Sequence, residues 1–377
     1  MTSDVTSGSF QPDYAVPPGA TLAEWLEERH MKQAELAARV DMSEKALSQI
    51  ITGVAPLTRA TAAKLELVTG IPARTWNNLE SLYRDDLSRL DERAALEAHA
   101  DWLTEMPVTQ LRKLGVLTAP TRDKATLVQQ LLGFFGVADP HAWRRLWLGP
   151  QAAALRQSSA FTADPAAVAA WLRLGEIEAD EMDVAEFDPA RLRASLPELR
   201  MLTREADPDV FVERLITLAA DCGVAVVFVP EVTGARCSGA ARWVHDRPIV
   251  QLSLRYGSDD QLWFTFFHEL AHVLLHGKKE VFISAGSTDY GNYGDKELEA
   301  DDFARNLLIP RKYVQELPSL LSIDSITAFA DRIGVSAGVV VGRLQHDKII
   351  GSHVGESLKV RYALSESLQD NDNSDLY

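Results

Sequence analysis

Apolar residues recur at helical spacing along most of the chain, and short continuous apolar runs appear only in its last third. Between residues 19 and 90, short amphipathic segments alternate with turn signals such as Gly53, which predicts a bundle of about five helices. Residues 91–205 are rich in Ala, Leu and Arg and predict further helices. Farther on, 224–229 and 249–254 are apolar runs of strand length, so this region is predicted to mix strands with helices.

These changes of pattern divide the chain into five predicted segments. They are a flexible arm (1–18), a five-helix domain (19–90), a helical connector (91–205), an α+β domain with a small sheet (206–350) and a C-terminal segment (351–377). The end of the last segment is acidic and rich in Asn and Ser, a composition typical of disorder. The predicted fold class is therefore mostly α, with an α+β C-terminal domain.

Two short helices joined by a tight turn lie inside the five-helix domain. The first begins at Gln33, Asp41 and Met42 form the turn, and Ser43 caps the second helix. A helix-turn-helix requires this arrangement. The polar face of the second helix includes Ser43, Lys45, Ser48 and Gln49. Such side chains suit base edges and phosphates, but from pattern alone a bundle used only for dimerisation explains the segment equally well.

The run from Gln33 to Ser43, followed by Leu47-Ser48-Gln49-Ile50 and Gly53, resembles the Xre/Cro-type helix-turn-helix. Flanking residues, among them Pro56-Leu57-Thr58 and Trp76, resemble HigA-type antitoxin repressors more specifically. Asp41 and Met42 depart from the pattern, which usually has Gly and Val there. The resemblance implies a homodimer that binds operator DNA. The implied contacts are Gln33 on a phosphate and Ser43, Lys45, Ser48 and Gln49 near bases.

The strongest chemical signal is His268-Glu269-Leu270-Ala271-His272, which lies in an apolar segment with no helix breaker before Gly277. The segment predicts a buried helix, on which His268 and His272 leave the same face and can bind one metal ion. Glu269 lies one residue further round, where it can act as general base toward metal-bound water. Burying these polar side chains without a metal is costly, which argues against a purely structural role.

A catalytic zinc ion needs a third protein ligand and an open position. Candidates lie on a second predicted helix, which Pro310 ends. Glu297 and Asp301 are one turn apart on one face, so Glu297 can bind the ion while Asp301 accepts the outer N–H of a ligating histidine. Glu299 points to another side of the helix, where a solvated carboxylate is the better interpretation.

The HExxH motif, together with Glu-Leu-Glu-Ala-Asp at 297–301, resembles the ImmA/IrrE family of metallopeptidases. The run 329–336 and Arg343-Leu344 extend this resemblance, which covers about residues 205–350. It implies a zincin-like fold in which His268, His272 and Glu297 bind zinc and Glu269 is the general base. Manganese is the open alternative for the metal. Members of the family cleave a repressor protein, often of the Xre type.

Three further residues are candidates for contacts with a substrate. Arg242 lies in a predicted strand or hairpin beside the HExxH helix and could reach a substrate carbonyl or carboxylate, although an ordinary surface arginine fits equally well. Tyr290 and Tyr293 lie in a Gly-rich loop and are candidates for stabilising an oxyanion. His276 continues the i, i+4 row, but Gly277 after it favours a histidine that caps the C-terminus of the helix.

Composition and charge narrow the functional class. The net charge of −16 argues against non-specific coating of nucleic acid but permits a small DNA-binding module. Cys222 and Cys237 are too few for a disulfide framework or a thiolate zinc site. No apolar run approaches the ~20 residues that a membrane span needs, and residues 1–20 lack the pattern of a signal peptide. We therefore expect a cytoplasmic protein without a membrane partner.

The predicted function is a DNA-binding transcriptional regulator with a zinc-dependent, gluzincin-like endopeptidase domain. Resemblance alone implies the substrate, a repressor- or antitoxin-type protein or the chain itself, in stress or toxin–antitoxin control. The alternative is a DNA-binding antitoxin or repressor whose metal domain senses or scaffolds without cutting protein.

Overall fold

The structure is a computed structural model that describes residues 12–149, 163–253, 257–278, 281–284 and 294–362. These residues are mostly helical and include one four-stranded sheet between residues 225 and 284. This architecture confirms the predicted fold class. The chain divides into two compact units, one made of residues 1–101 and 119–129, the other of residues 102–118 and 130–377.

The described part of the first unit begins with five helices. They are α1 (Pro18–Glu28), α2 (Gln33–Arg39), α3 (Glu44–Ile51), α4 (Arg59–Thr69) and α5 (Ala73–Glu97). The tight turn between α2 and α3 places Asp41 in the left-handed region, at φ 53°, which Asp tolerates better than most residues. The Ser43 hydroxyl then accepts a hydrogen bond from the Ala46 backbone N–H at 3.2 Å and caps α3.

Helix α5 is longer than the sequence pattern predicts. The spacing of apolar residues predicts a fifth helix from about Pro72 to Leu87, whereas α5 continues without a break to Glu97. The added turns contain Leu, Ala, Arg and Glu and no Gly or Pro, so nothing in them stops the helix. The helix therefore runs through the segment boundary that the composition predicts at residue 90.

The middle of the chain consists of short helices. They are a 3₁₀ turn (Ala100–Glu105), α6 (Val108–Lys113), α7 (Lys124–Phe135), α8 (Pro140–Trp143) and a π-helical turn (Arg144–Leu148). Four aromatic side chains pack together here. The ring centroids of Trp102 and Trp143 are 5.6 Å apart, and those of Phe135 and Trp147 are 5.4 Å apart. These tryptophans are buried and form core, as their helical context suggests.

The rest of the second unit surrounds the sheet with helices. The helices are α9 (Pro165–Glu181), α10 (Pro189–Met201), α11 (Pro208–Ala220), α12 (Asp259–Leu275), α13 (Asp295–Leu308), α14 (Ile323–Ile333) and α15 (Ala337–His346). The strands are β1 (Ala225–Phe228), β2 (Gly239–Val244), β3 (Arg247–Leu252) and β4 (Phe282–Ser284). Three 3₁₀ segments lie at Leu202–Arg204, Arg311–Ser319 and Glu356–Leu358.

The sheet has the strand order β1-β3-β2-β4. Strands β1 and β3 are parallel, whereas β2 pairs antiparallel with both β3 and β4. Ala241 and Val250 face the apolar core that includes α12. The opposite face meets α9, where the Gln251 amide donates to the Trp171 carbonyl at 2.6 Å. The sheet thus lies between α12 and α9.

Among the described residues, no single helix is long and apolar enough to span a membrane. Helices α14 and α15 satisfy the requirement together by length and composition only, and they are bent by 114° at their junction. Both contribute buried side chains to the core of the second unit, including Phe329 and Val340.

Asp259 is a fully buried carboxyl in the first turn of α12. The Ser336 hydroxyl donates to its Oδ2 at 2.7 Å, and the Val360 backbone N–H donates to its Oδ1 at 3.2 Å. Burial nevertheless raises the pKa of Asp259 to about 6. Because this pKa lies above the unfolded value, the associated stabilisation is fully present below about pH 4 and is lost as the pH rises through about 6.

Substituting Asp259→Asn is expected to remove this pH dependence, because the amide keeps the polar contacts but does not ionise. Relative to the variant, the wild type should lose up to about 3 kcal/mol of unfolding free energy between pH 4 and pH 7.5. Chemical denaturation at several pH values measures the difference. The same substitution at the exposed Asp324 is the control. Parallel pH profiles for the wild type and Asp259→Asn would contradict the prediction.

Candidate functional site

Helix α12 carries both histidines of the HExxH motif into the interior of the second unit. Trp263, Phe266 and Phe267 are fully buried on this helix and hold it against the sheet and α15. His268 and His272 leave the opposite side one turn apart, and both are buried. Their Nε2 atoms lie 3.0 Å apart, so both imidazoles point to the same place.

Glu297, in the first turn of α13, reaches the same point from the facing helix. Its Oε2 lies 3.1 Å from the Nε2 of His268, and its Oε1 lies 3.5 Å from the Nε2 of His272. One donor atom from each of the three residues lies within 4.8 Å of the others. Two imidazole nitrogens and one carboxylate form a donor set that zinc accepts in catalytic sites, so these residues can hold a metal ion.

Glu269 is fully buried beside these three side chains. Strand β2 approaches it closely at Gly239. A Cβ at that position would lie 2.7 Å from the Oε1 of Glu269, so only glycine fits there without a clash. The Ser284 hydroxyl is near, but neither carboxylate oxygen has a hydrogen-bond partner of good geometry among the described residues. Burial raises the pKa of Glu269 to about 7, so its carboxyl can both take up and release a proton near neutral pH.

The side chains that can hold the ion are strongly coupled. Burial alone would lower the pKa of His268, but its hydrogen bonds with Asp301 and Glu297 raise it to about 10. Burial lowers the pKa of His272 to about 4. Burial opposes ionisation of Glu297, yet the hydrogen bonds from His268 and His272 hold its pKa well below the usual range. Without a metal, His268 therefore carries a proton that a bound ion would replace.

The outer nitrogen of each histidine is also engaged. The Nδ1 of His268 lies 3.0 Å from the Oδ1 of Asp301, and Arg305 donates to the other oxygen of Asp301 at 2.7 Å. The Nδ1 of His272 lies 2.9 Å from the Nδ1 of His276. The sequence pattern places Asp301 in this role and misses Arg305. It predicts His276 as the C-terminal cap of the helix, a position that His276 occupies, but not the contact of its ring with His272. Arg305 is one turn after Asp301, which is the signal that points to it.

The three candidate substrate contacts have different outcomes. Arg242 is buried on the face of β2 opposite α12, where it pairs with Glu176 at 3.2 Å and also donates to the Leu172 carbonyl. These contacts favour a role in fastening α9 to the sheet, away from the HExxH residues. Tyr290 and Tyr293 lie outside the described residues, so their predicted role stays a prediction.

The residues predicted to contact DNA lie on and before α3. Gln33 begins α2 and is exposed, as are Ser43 and Lys45, whereas Ser48 and Gln49 are half-buried. The Ser43 hydroxyl already accepts the hydrogen bond that caps α3. It can therefore contact DNA only through its O–H group or its second lone pair. The contacts themselves stay predictions.

Comparison with protein families gives two matches. Residues 22–76 match the helix-turn-helix family, and residues 221–345 match the IrrE N-terminal-like domain of the peptidase M78 family. No match was found among curated proteins or solved structures. The first matched range contains most of α1 and all of α2 to α4, and the second contains the sheet with α12 and α13. These matches confirm the helix-turn-helix resemblance in the N-terminal part of the chain and the IrrE-like resemblance in its C-terminal part.

Proposed function

We propose that this chain is a cytoplasmic DNA-binding transcriptional regulator that also acts as a zinc-dependent endopeptidase. Its substrate is a repressor- or antitoxin-type protein, or the chain itself, in stress or toxin–antitoxin control. The observation that carries the peptidase half is the convergence of His268, His272 and Glu297 beside a buried carboxyl, Glu269. The IrrE-like match supports the same half, and the helix-turn-helix match supports the other.

The residues of the site divide the chemical work. His268, His272 and Glu297 would hold the ion, with zinc as the first candidate and manganese as the second. A zinc ion held there would lower the pKa of water to about 7 and polarise a carbonyl group. Glu269 takes the proton from the attacking water and returns it to the leaving amine, a role that its position beside the three donor residues allows. Its burial keeps bulk water from competing for that proton.

Metal-dependent cleavage tests the peptidase half. Purified full-length protein, loaded with zinc or manganese, is incubated with itself and with repressor- or antitoxin-type proteins encoded near its gene. We expect one of these proteins to be cut at a defined bond, and we expect a chelator to stop the cleavage. Metal bound at the site without cleavage of any of them would contradict the proposal. That result would favour the alternative, a repressor or antitoxin whose metal domain senses or scaffolds.

For the DNA half, we propose that the chain binds its operator as a homodimer through α3. The double substitution Ser48→Ala/Gln49→Ala is expected to weaken binding to the chain's own promoter by roughly 30-fold or more, because each good base contact contributes about 1–3 kcal/mol and two are removed. A gel-shift titration at fixed salt measures this loss. Ser81→Ala, an exposed change on α5, is the matched control. Undiminished binding by the double variant would remove α3 from the role of recognition helix.

A further inference from the structure

His276 follows the metal-binding helix and sits behind His272. Its side chain is only 3% exposed. Its Nδ1 lies 2.9 Å from the Nδ1 of His272, and its Nε2 lies 3.2 Å from the Oε2 of Glu299 on α13. Phe282 of β4 stacks on the His272 ring, with centroids 3.8 Å apart, and also contacts His276. Glu299, His276 and His272 therefore form a chain of polar contacts that ends at the Nδ1 atom of His272, the outer nitrogen of a predicted ligand.

The hydrogen atoms of this chain of polar contacts have one consistent arrangement when His272 binds a metal. The Nε2 of His272 faces His268 and Glu297, so that atom offers its lone pair to the ion. The proton of the neutral ring is then on Nδ1 and is donated to His276. His276 must accept through its own Nδ1, which places its proton on Nε2. That N–H finds its acceptor in the carboxylate of Glu299.

We propose that His276, supported by Glu299, is a positioning residue that fixes the tautomer and ring orientation of His272 for metal binding. This inference rests on the proposed function, because it requires a metal at the site. In this proposal a carboxylate supports the outer nitrogen of each ligating histidine. Asp301 contacts His268 directly, whereas Glu299 acts on His272 through an intervening imidazole.

The contacts of His276 separate this role from helix capping. Its backbone N–H donates to the His272 carbonyl at 3.1 Å and closes the helix, a contact that any residue except proline supplies. The imidazole makes different contacts, so its removal leaves the cap in place. The Glu299 side chain is 64% exposed, and solvent competes for it. We therefore expect His276 to contribute more to zinc affinity than Glu299 does.

Zinc affinity of the full-length protein, measured by competition with a chromophoric chelator, tests the proposal. His276→Leu is expected to weaken zinc binding by roughly 10–100-fold, the usual effect of losing an outer partner of a ligand. His276→Asn should restore most of the affinity, because the amide oxygen of Asn occupies the place of Nδ1 and can accept the same hydrogen bond. His353→Leu, at an exposed histidine outside the site, is the control.

Glu299→Ala provides a second measurement on an exposed side chain whose loss does not endanger folding. It should weaken zinc binding by a smaller factor than His276→Leu, and it should have no further effect in the His276→Leu background. In cobalt-loaded protein, His276→Leu should also shift the visible absorption bands of the metal, and His276→Asn should reverse that shift.

The possible outcomes distinguish this inference from the proposed function. If the wild type binds no metal, the proposed function fails. If the wild type binds zinc and His276→Leu binds it equally well, only the inference fails. Equal losses in His276→Leu and His276→Asn, or additive effects of the His276 and Glu299 changes, would also overturn the inference. The predicted order, with rescue by Asn and non-additivity, supports it.

Discussion

Replacing Glu269 by glutamine is expected to lower the rate of peptide cleavage by roughly 10²–10⁴-fold without loss of the bound metal. The carboxyl is fully buried beside the predicted ligands but is not one of the three residues that converge on the metal position. Glutamine has the same size, so it fits under Gly239, where the strand leaves no room for a larger group. It cannot accept a proton from the attacking water.

Two measurements on the same preparation check this prediction. Cleavage of the protein substrate gives the rate, and elemental analysis gives the metal content per chain. Glu213→Gln, an exposed glutamate on α11, is the matched control and should behave as the wild type does. A Glu269→Gln variant that cuts at the wild-type rate would exclude Glu269 as general base. A variant that loses the metal would instead assign Glu269 to metal binding.

Replacing Glu297 by alanine is expected to weaken zinc binding more than any change behind the ligands does. The substitution removes one of three donors and leaves two histidines whose Nε2 atoms are 3.0 Å apart. Asp301→Asn serves as the comparison, because Asp301 contacts the outer nitrogen of His268 and not the metal position, and its loss should weaken binding roughly 10–100-fold. Chelator competition on the two variants should therefore give a larger loss for Glu297→Ala.

A loss of zinc binding on changing the neighbouring Glu299, in place of Glu297, would contradict this prediction. If Glu297→Ala bound zinc as tightly as the wild type while Glu299→Ala did not bind it, the third ligand would be Glu299. The contacts of Glu299 with His276 would then need another explanation. Glu297 and Glu299 point to different sides of α13. Only one of them can therefore face the metal position for a given orientation of the helix.

Much of the candidate site could be predicted from spacing along single helices. His268 and His272 are four residues apart on an apolar segment, and that distance alone directs both rings to one point. Glu297 and Asp301 are related in the same way on α13. The structure places these four side chains together, because periodicity within a helix is set by local backbone geometry, which the sequence specifies directly.

The parts that sequence reasoning missed depend on how separate elements approach one another. The position of Glu299 on α13 predicts a solvated carboxylate, and its side chain is indeed 64% exposed, but the sequence does not reveal that α12 ends close enough for His276 to contact it. Arg242 alternates on β2 with residues that face α12, and alternation does not tell which face meets which helix. Its burial against Glu176 follows from the placement of α9, which the pattern of residues 91–205 does not reveal.

The most direct test of the central claim is a crystal structure of zinc-loaded protein, with anomalous data collected at the zinc edge. The account predicts one anomalous peak in the second unit, bound by the Nε2 atoms of His268 and His272 and by a carboxylate oxygen of Glu297, with Glu269 beside it but not bound. An ion held by other residues, or no ion at saturating zinc while His268 and Glu297 keep their mutual contact, would contradict it.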